Sequence, residues 1–338
     1  MIKRVLSYAI PADQGGRTVE DFLRGLGYSH RLVVHLKQTP GGILAGGESV
    51  FSTYRLHPGQ ALTEEEPSRN IPPADLPLAV VYEDPDILVV NKEAGIPVHP
   101  SQGHHGNTLA NAASHYFALR GEPFVYRAVS RLDRDTSGLL VLAKHMLSAC
   151  SLAGQMEDRR IRRRYLAFVR GLTPDSGTVT APIGRVPGSV IQRRVDPEQG
   201  EPACTHYSRL LYNQKKDLSL ISLSLETGRT HQIRVHMASI GHPLPGDFLY
   251  CPDYRSINRQ PLHSWRLEFC HPVTGKPMEF TAPLPQDMAA LLPEGEEETA
   301  AWLRAAQARP EGAGEELSPE PEGGAPLTSS AAPLDSDS

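Results

Sequence analysis

Three stretches of this chain gather residue types that could do chemistry. In the first, Val129 to Val141, Asp133 stands between Arg131 and Arg134, Asp135 follows, and Thr136-Ser137-Gly138 leads into the apolar Leu139-Leu140-Val141. A carboxylate among guanidiniums at the mouth of a buried strand is placed where sites tend to form, on a loop held by a rigid scaffold. The plainer account is that Asp133 and Asp135 only cap a turn through side-chain to backbone hydrogen bonds. The second stretch is Thr227-Gly228-Arg229-Thr230-His231-Gln232-Ile233-Arg234-Val235-His236. Gly228 permits a tight bend, Thr230 can cap a helix, and Arg229 projects at the strand-helix junction, where a guanidinium would keep a carboxylate ionised. The third, Arg159 to Gly171, sets six arginines around Tyr165. That is the combination a phosphate backbone and a splayed-out base require: cations for the charge and a ring for stacking. A solvated helix end explains Arg159 and Arg160 equally well, whereas Tyr165 falls where a strand has begun and is the inward residue.

The surrounding elements must position these groups. Thr18 to Leu26 reads as a short helix with Thr18 and Asp21 as a capping box, and Ser29 can cap a second in which Leu32, Val33 and Leu36 share a face. A Gly-rich hairpin over 41–47 and a strand-like Ser49 to Leu56 complete a small domain, 1–63. Residues 64–77 carry four prolines and read as a linker. From 78 to 293, strands are expected at Ala79–Glu83, Ile87–Asn91, Leu139–Ala143, Arg164–Val169, His206–Tyr212 and Leu218–Leu225, and helices at Thr108–Leu119, Met146–Met156 and Thr230–Ile240. Consecutive strands, without regular alternation with helices, argue for α+β: a mixed, mainly antiparallel sheet with flanking helices and a central cleft.

Charge is informative only when divided along the chain. Residues 294–338 hold eleven Asp/Glu and two Arg, a net −9, while the remaining 28 acidic and 32 basic residues net +4. The body is mildly basic, and an acidic Glu/Gly/Pro/Ser-rich tail that composition predicts to be disordered masks it. At 338 residues with 39% hydrophobic and 22% charged residues, the chain is that of an ordinary globular protein. No apolar run is long enough to span a membrane, the first nine residues do not read as a secretory signal, and Cys150, Cys204, Cys251 and Cys270 are scattered without a CxxC pair. A cytoplasmic protein without a disulfide framework is expected. His231 and His236 lie five apart, off the i, i+4 spacing of a zinc-binding helix, so no metal site is expected either.

Taken in order, the three stretches resemble the signatures of the RluA family of RNA pseudouridine synthases: Arg131-Leu132-Asp133 with Thr136-Ser137-Gly138, Arg163-Arg164-Tyr165, and Thr227 to His236. Asp86 to Lys92, Gly241-His242-Pro243, Gly246-Asp247, Leu262-His263 and His271-Pro272 extend the resemblance over about Leu78 to Pro285. Ser130 and Glu93 depart from the family's His and Pro. The first segment resembles, in degenerate form, the small ribosomal-protein-like RNA-binding domain that precedes such catalytic domains, with Leu44-Ala45-Gly46-Gly47 in place of a Val-Asn-Gly tip. The resemblance implies isomerisation of uridine to pseudouridine in ribosomal RNA, most of all large-subunit, with transfer RNA as the alternative substrate and a monomer as the working unit. It implies Asp133 as catalytic carboxylate, Tyr165 as stacking partner and candidate proton-transfer group, and Arg229 as the cation paired with Asp133. Arg131, Arg134, Lys92, Arg163, Arg164 and Arg234 are implied substrate or RNA contacts. The reaction involves no redox change, and no phosphate-cradling glycine loop is present, so no cofactor is expected.

Two other classes compete. A catalytically silent RNA-binding assembly factor would not need Arg131, Asp133, Tyr165 and Arg229 together. A glycoside hydrolase would need two facing carboxylates, and only Asp133 is well placed.

Overall fold

The computed structural model of the chain describes residues 4–28, 30–66 and 71–293. The cap expected at Ser29, residues 67–70 of the expected linker and the acidic tail from 294 lie outside them. The N-terminal elements are β1 (Arg4–Ala9), α1 (Val19–Gly25), α2 (His30–Gln38), β2 (Ile43–Ala45), β3 (Glu48–Ser49) and β4 (Ala61–Glu66). Thr18 caps α1, its hydroxyl accepting the Asp21 N–H at 3.1 Å; Asp21 answers by accepting the Thr18 hydroxyl at 2.7 Å, so only half of the expected box forms. The four strands form an antiparallel sheet in the order β1-β4-β2-β3.

The strand expected over Ser49–Leu56 is not one. Beyond Ser49 the chain turns, and the carbonyls of Ser52 and Tyr54 accept the N–H groups of Glu20 and Val19, satisfying donors that the first turn of α1 cannot satisfy itself. β4 also runs to Glu66, past the expected domain edge at 63.

The rest of the described chain forms β5 (Val80–Glu83), β6 (Ile87–Lys92), α3 (Leu109–Leu119), β7 (Ser137–Ala143), α4 (Met146–Glu157), β8 (Arg162–Arg170), β9 (Ser176–Thr180), β10 (Ile183–Arg185), β11 (Arg193–Val195), β12 (Cys204–Asn213), β13 (Leu218–Leu225), α5 (Gln232–Ser239), β14 (Leu262–Cys270), β15 (Pro277–Thr281) and α6 (Gln286–Ala289). A nine-stranded sheet runs β5-β6-β7-β14-β8-β13-β12-β9, with β15 added to β14, and β10 and β11 pair separately. Within the large sheet only β7 and β14 are parallel, so the expected mixed, mainly antiparallel α+β architecture is the one observed. β14 escapes a reading by alternation because a bulge between Ser264 and Arg266 breaks its period and His263 and Ser264 are buried polar residues.

Alternation along β8 divides the core. Tyr165, Ala167 and Val169 pack with Ile221 and Leu223 beneath α3 and α5, while Leu166 and Phe168 pack on the other face with Trp265, Met288 and Leu291. Leu147 of α4 enters the core of the N-terminal unit, joining the two parts. Residues 71–77 are also held: the Asn111 side chain of α3 donates to Pro72 O at 2.8 Å, and the Asn111 backbone carbonyl accepts Ala74 N–H at 3.2 Å.

Gly138 makes the parallel contact possible. Its φ is +117°, and a Cβ there would lie 2.3 Å from Ser264 O. Gly138→Ala should therefore cost about 2–4 kcal/mol, from strain and overpacking together. Gly154→Ala, in open space on α4, should stabilise by about 0.5–1 kcal/mol. Urea unfolding of both variants measures this; equal effects would remove the constraint assigned to Gly138.

Candidate active site

Lys92 fixes the loop that carries Asp133. At the end of β6 its ammonium donates to the carbonyls of Glu93 (2.7 Å), Ile96 (2.9 Å) and Arg134 (2.9 Å), using all three donors. Burial pulls its pKa down to about 7. Gly95 N–H also donates to Arg134 O, and Thr136 N–H closes a turn onto Asp133 O at 3.1 Å. The expectation that Lys92 contacts RNA is corrected accordingly: a buried ammonium with every proton committed to the backbone cannot reach a phosphate. Arg134, exposed, forks onto the neighbouring Asp135 at 3.0 and 2.9 Å.

The opposing wall is the turn into α5. Gln232 holds it: its side-chain oxygen accepts from Thr227 Oγ1 (2.8 Å) and Arg229 N–H (3.0 Å), and its nitrogen donates to Cys204 O (2.9 Å) and Thr205 Oγ1 (3.0 Å). His236, buried, bonds Thr205 Oγ1 and Ala181 O. The helix starts at Gln232, not at Thr230, because His231 is left-handed at φ 59°. That twist brings Arg234 inward instead of Arg229.

Arg234 is the centre of the site. Its Nη1 donates to Asp133 Oδ2 at 2.9 Å, and its Nε and Nη2 fork onto Asp247 at 2.7 and 2.8 Å. Arg234 is 1% exposed and Asp247 0%. Burial opposes the guanidinium charge, but the hydrogen bonds to Asp247 and the charge of Asp133 outweigh it and raise its pKa. Tyr250 and Phe248 flank the guanidinium, with ring centroids 5.1 and 5.6 Å from Cζ. The Tyr250 hydroxyl accepts Arg193 N–H at 2.9 Å and so has its proton for His231 Nδ1, 3.0 Å away. This leaves the proton of His231 on Nε2, which lies 3.9 Å from Asp133 Oδ2, beyond direct hydrogen-bond reach. Burial pulls the His231 pKa down to about 4, so the imidazole is neutral near pH 7.

Asp133 opens into a solvent-facing pocket that also meets Tyr165, Arg131, Arg163, Arg229 and His231. Tyr165 is almost wholly buried, and among the described residues its hydroxyl has no hydrogen-bond partner. Asp133 likewise keeps Oδ1 unpaired among the described residues. Arg163, two residues before Tyr165, shares its face; Arg164 lies on the opposite face with Leu166, so its expected place at the substrate is corrected. Two further expectations change. Arg229 lies on the pocket wall but pairs with Glu201 and with Pro202 O, not with Asp133. Arg234 is the carboxylate's buried partner and not an RNA contact. The sequence alone assigns Asp247, His231 and Tyr250 no part in the site; its signals are the Gly246-Asp247 pair and the position of His231 within the Thr227 to His236 stretch. Gly246, at φ +71°, has room for no Cβ between the carbonyls of Ile257 and Arg259.

The chain is similar to known proteins in both sequence and fold. The sequence profile described as RNA pseudouridylate synthase matches residues 86–239. "Uncharacterized RNA pseudouridine synthase YjbO" of Bacillus subtilis (strain 168) is 41% identical over 280 residues, covering 81% of this chain and 98% of that protein. "Ribosomal large subunit pseudouridine synthase D" of Nitrosomonas europaea is 42% identical over 256 residues, covering 73% of this chain and 71% of its own. Among solved structures, "Human RNA Pseudouridylate Synthase Domain Containing 1" aligns with a TM-score of 0.54 at 27% identity, over 72% of this chain and 99% of that one.

Two outcomes test the geometry. Arg234→Lys keeps a charge but lacks the fork that spans both carboxylates. Its kcat should fall by about 100-fold or more with KM little changed, because the pocket's outer cations remain; a pure KM effect in tritium-release assays would contradict the assignment. The second concerns pH. An unfolded imidazole titrates near 6.5. As pH falls from about 6.5 to 4 the unfolded chain takes up a proton that folded His231 refuses, so stability is lost across that window. His231→Asn, which tolerates the left-handed backbone, should reduce the stability lost between pH 6.5 and 4.5 by about 2 kcal/mol. Urea unfolding at the two pH values reads it, and an unaltered difference would mean His231 titrates normally.

Proposed function

The chain belongs to the RNA pseudouridylate synthase family of isomerases, and from that membership we propose that it converts specific uridines of ribosomal RNA, in the large subunit, to pseudouridine, with Asp133 as the catalytic carboxylate. The observation that carries the reading is the Asp133 carboxylate, bonded through Oδ2 to buried Arg234 and presenting Oδ1 to a pocket whose other wall is Tyr165.

The chemistry follows from balance. The bond between uracil N1 and ribose C1′ breaks, the base turns, and a C5 to C1′ bond forms; the C5 proton is lost and N1 gains one. Redox state is unchanged. The target must leave its stack to enter the pocket, at a cost of a few kcal/mol. Tyr165 offers a face for the extruded base, and Arg131, Arg163 and Arg229 line the mouth where a phosphate backbone approaches. Arg234 donates to one oxygen of Asp133, and the unpaired Oδ1 acts on the nucleotide. Neutral His231 adds a donor beside Asp133 without adding a second cation. The large-subunit substrate rests on what the Nitrosomonas relative is named for. Among the described residues no helix is long and apolar enough to cross a membrane, which is compatible with action on RNA in the cytoplasm.

Asp133→Asn should abolish tritium release from 5-labelled uridine in RNA while leaving RNA affinity within about threefold, since a single carboxylate adds little to phosphate binding. Activity within tenfold of wild type would sink the role of Asp133. Tyr165→Ala should weaken pocket binding by the about 1–3 kcal/mol that a stacked base contributes. Tyr165→Phe should bind normally, and its turnover isolates any proton transfer by the hydroxyl. Pseudouridine maps of stable RNAs from cells with and without the gene test the choice of RNA.

A further inference from the structure

On the sheet face turned away from the pocket, strand register assembles a second chemical cluster. His206 of β12 pairs with Thr178 of β9 and Ser224 of β13, and Cys204 pairs with Thr180. Residues two apart on a strand share a face, as do directly opposed residues. Cys204, His206, Thr178 and Thr180 therefore lie together, and Glu226, whose N–H bonds Cys204 O just past β13, joins them. The alternate residues Tyr207 and Leu223 point into the core on the pocket side.

The three ligand-type atoms form a tight triangle. Cys204 Sγ lies 3.7 Å from His206 Nε2 and 3.4 Å from Glu226 Oε1, and Nε2 lies 2.8 Å from Oε1. Tetrahedral zinc, with bonds of about 2.3 Å to sulfur and about 2.0–2.2 Å to nitrogen and oxygen, holds such atoms roughly 3.3–3.6 Å apart. The triangle needs to adjust by about 0.5 Å at most to reach these spacings. We propose that Cys204, His206 and Glu226 bind a divalent transition-metal ion of the zinc class, with a fourth position open to water.

The surroundings support the ligands as metal sites require. Thr178 Oγ1 lies 2.9 Å from His206 Nδ1, Thr180 Oγ1 donates to Cys204 Sγ at 3.6 Å, and Arg159 donates to the other Glu226 oxygen at 3.2 Å. Thr178 and Arg159 hold their ligands at atoms other than the coordinating ones, and the Cys204 sulfur has lone pairs enough for both the Thr180 hydroxyl and a metal. On binding, the Cys204 thiol proton leaves to solvent and the His206 proton moves from Nε2 to Nδ1, where Thr178 accepts it. Thiolate and carboxylate then balance the dication. The other cluster of similar composition, Asp84, Asp86 and His271, lacks this property: His271 Nδ1 accepts Val273 and Thr274 N–H, so Nε2 carries its proton to Asp84 and offers no lone pair. An ion at Cys204 would also brace the active-site turn, because Cys204 N–H donates to Thr227 Oγ1 and Cys204 O accepts from Gln232.

Cobalt(II) added to the reduced full-length protein is the probe. One equivalent should bind with a thiolate-to-cobalt charge-transfer band, release about one proton, and be displaced by zinc. Cys204→Ser should abolish the band, and His206→Ala and Thr178→Val should each weaken binding by about tenfold or more. Melting of the metal-free variants at the wild-type temperature establishes that they fold, and Glu226→Gln serves in place of Cys204→Ser if that variant does not. A missing band overturns the proposal. So does a band that survives Cys204→Ser, since the ion would then sit on Cys150, Cys251 or Cys270.

Discussion

A guanidinium buried between two carboxylates governs this structure. Arg234 and Asp247 are out of contact with water, and desolvating such charges costs several kcal/mol apiece unless geometry and hydrogen bonding compensate. Asp247 accepts two of the Arg234 hydrogen bonds, and Asp133 accepts another from the pocket side. Removal of Arg234 would leave Asp247 as an uncompensated buried charge, at about 3–5 kcal/mol. The left-handed turn at His231, the Gln232 bonds to β12, the crowded glycine before Asp247 and the Lys92 anchor beneath Asp133 all serve one requirement. Each holds a group within the small tolerance of a charge-assisted hydrogen bond.

How far the sequence reveals this depends on the range of each interaction. Periodicity gives β6, β7, β13, α3 and α4 within a residue or two, because their apolar residues recur locally. Asp133 and Tyr165, which the structure brings to one pocket, stand out in the sequence because their neighbours within a few positions form a pattern. The partner of Asp133 is not legible, since Arg234 is 101 positions away and is chosen over Arg229 by a left-handed backbone at a histidine. Non-glycine residues rarely adopt that conformation, and nothing local announces it. The same holds for β14, whose bulge shifts its inward residues, and for Ser52 to Leu56, which serve the amides of α1 instead of extending a sheet.

Cationic residues in a motif invite assignment to RNA, yet here they divide by burial into two tasks. Lys92 and Arg234 are spent inside the protein, on three carbonyls and on two carboxylates. Arg131, Arg163 and Arg229 remain at the pocket mouth. Exposed charges of this kind are screened by salt, whereas the buried pair is screened much less. Ionic strength therefore acts on how strongly RNA is held and hardly at all on the geometry that presents Asp133.

The strands beneath the pocket extend that separation to their two faces. Along β12 and β13, Thr205, Tyr207 and Leu223 face the pocket side, whereas Cys204, His206 and Ser224 face away. Because register fixes both sets at once, a one-residue slip of β12 would exchange them, burying a thiol and an imidazole where Thr205 now bonds Gln232 and His236. Those two bonds pin the register. The side chains that build the wall opposite Asp133 therefore also determine which residues meet on the far face of the sheet.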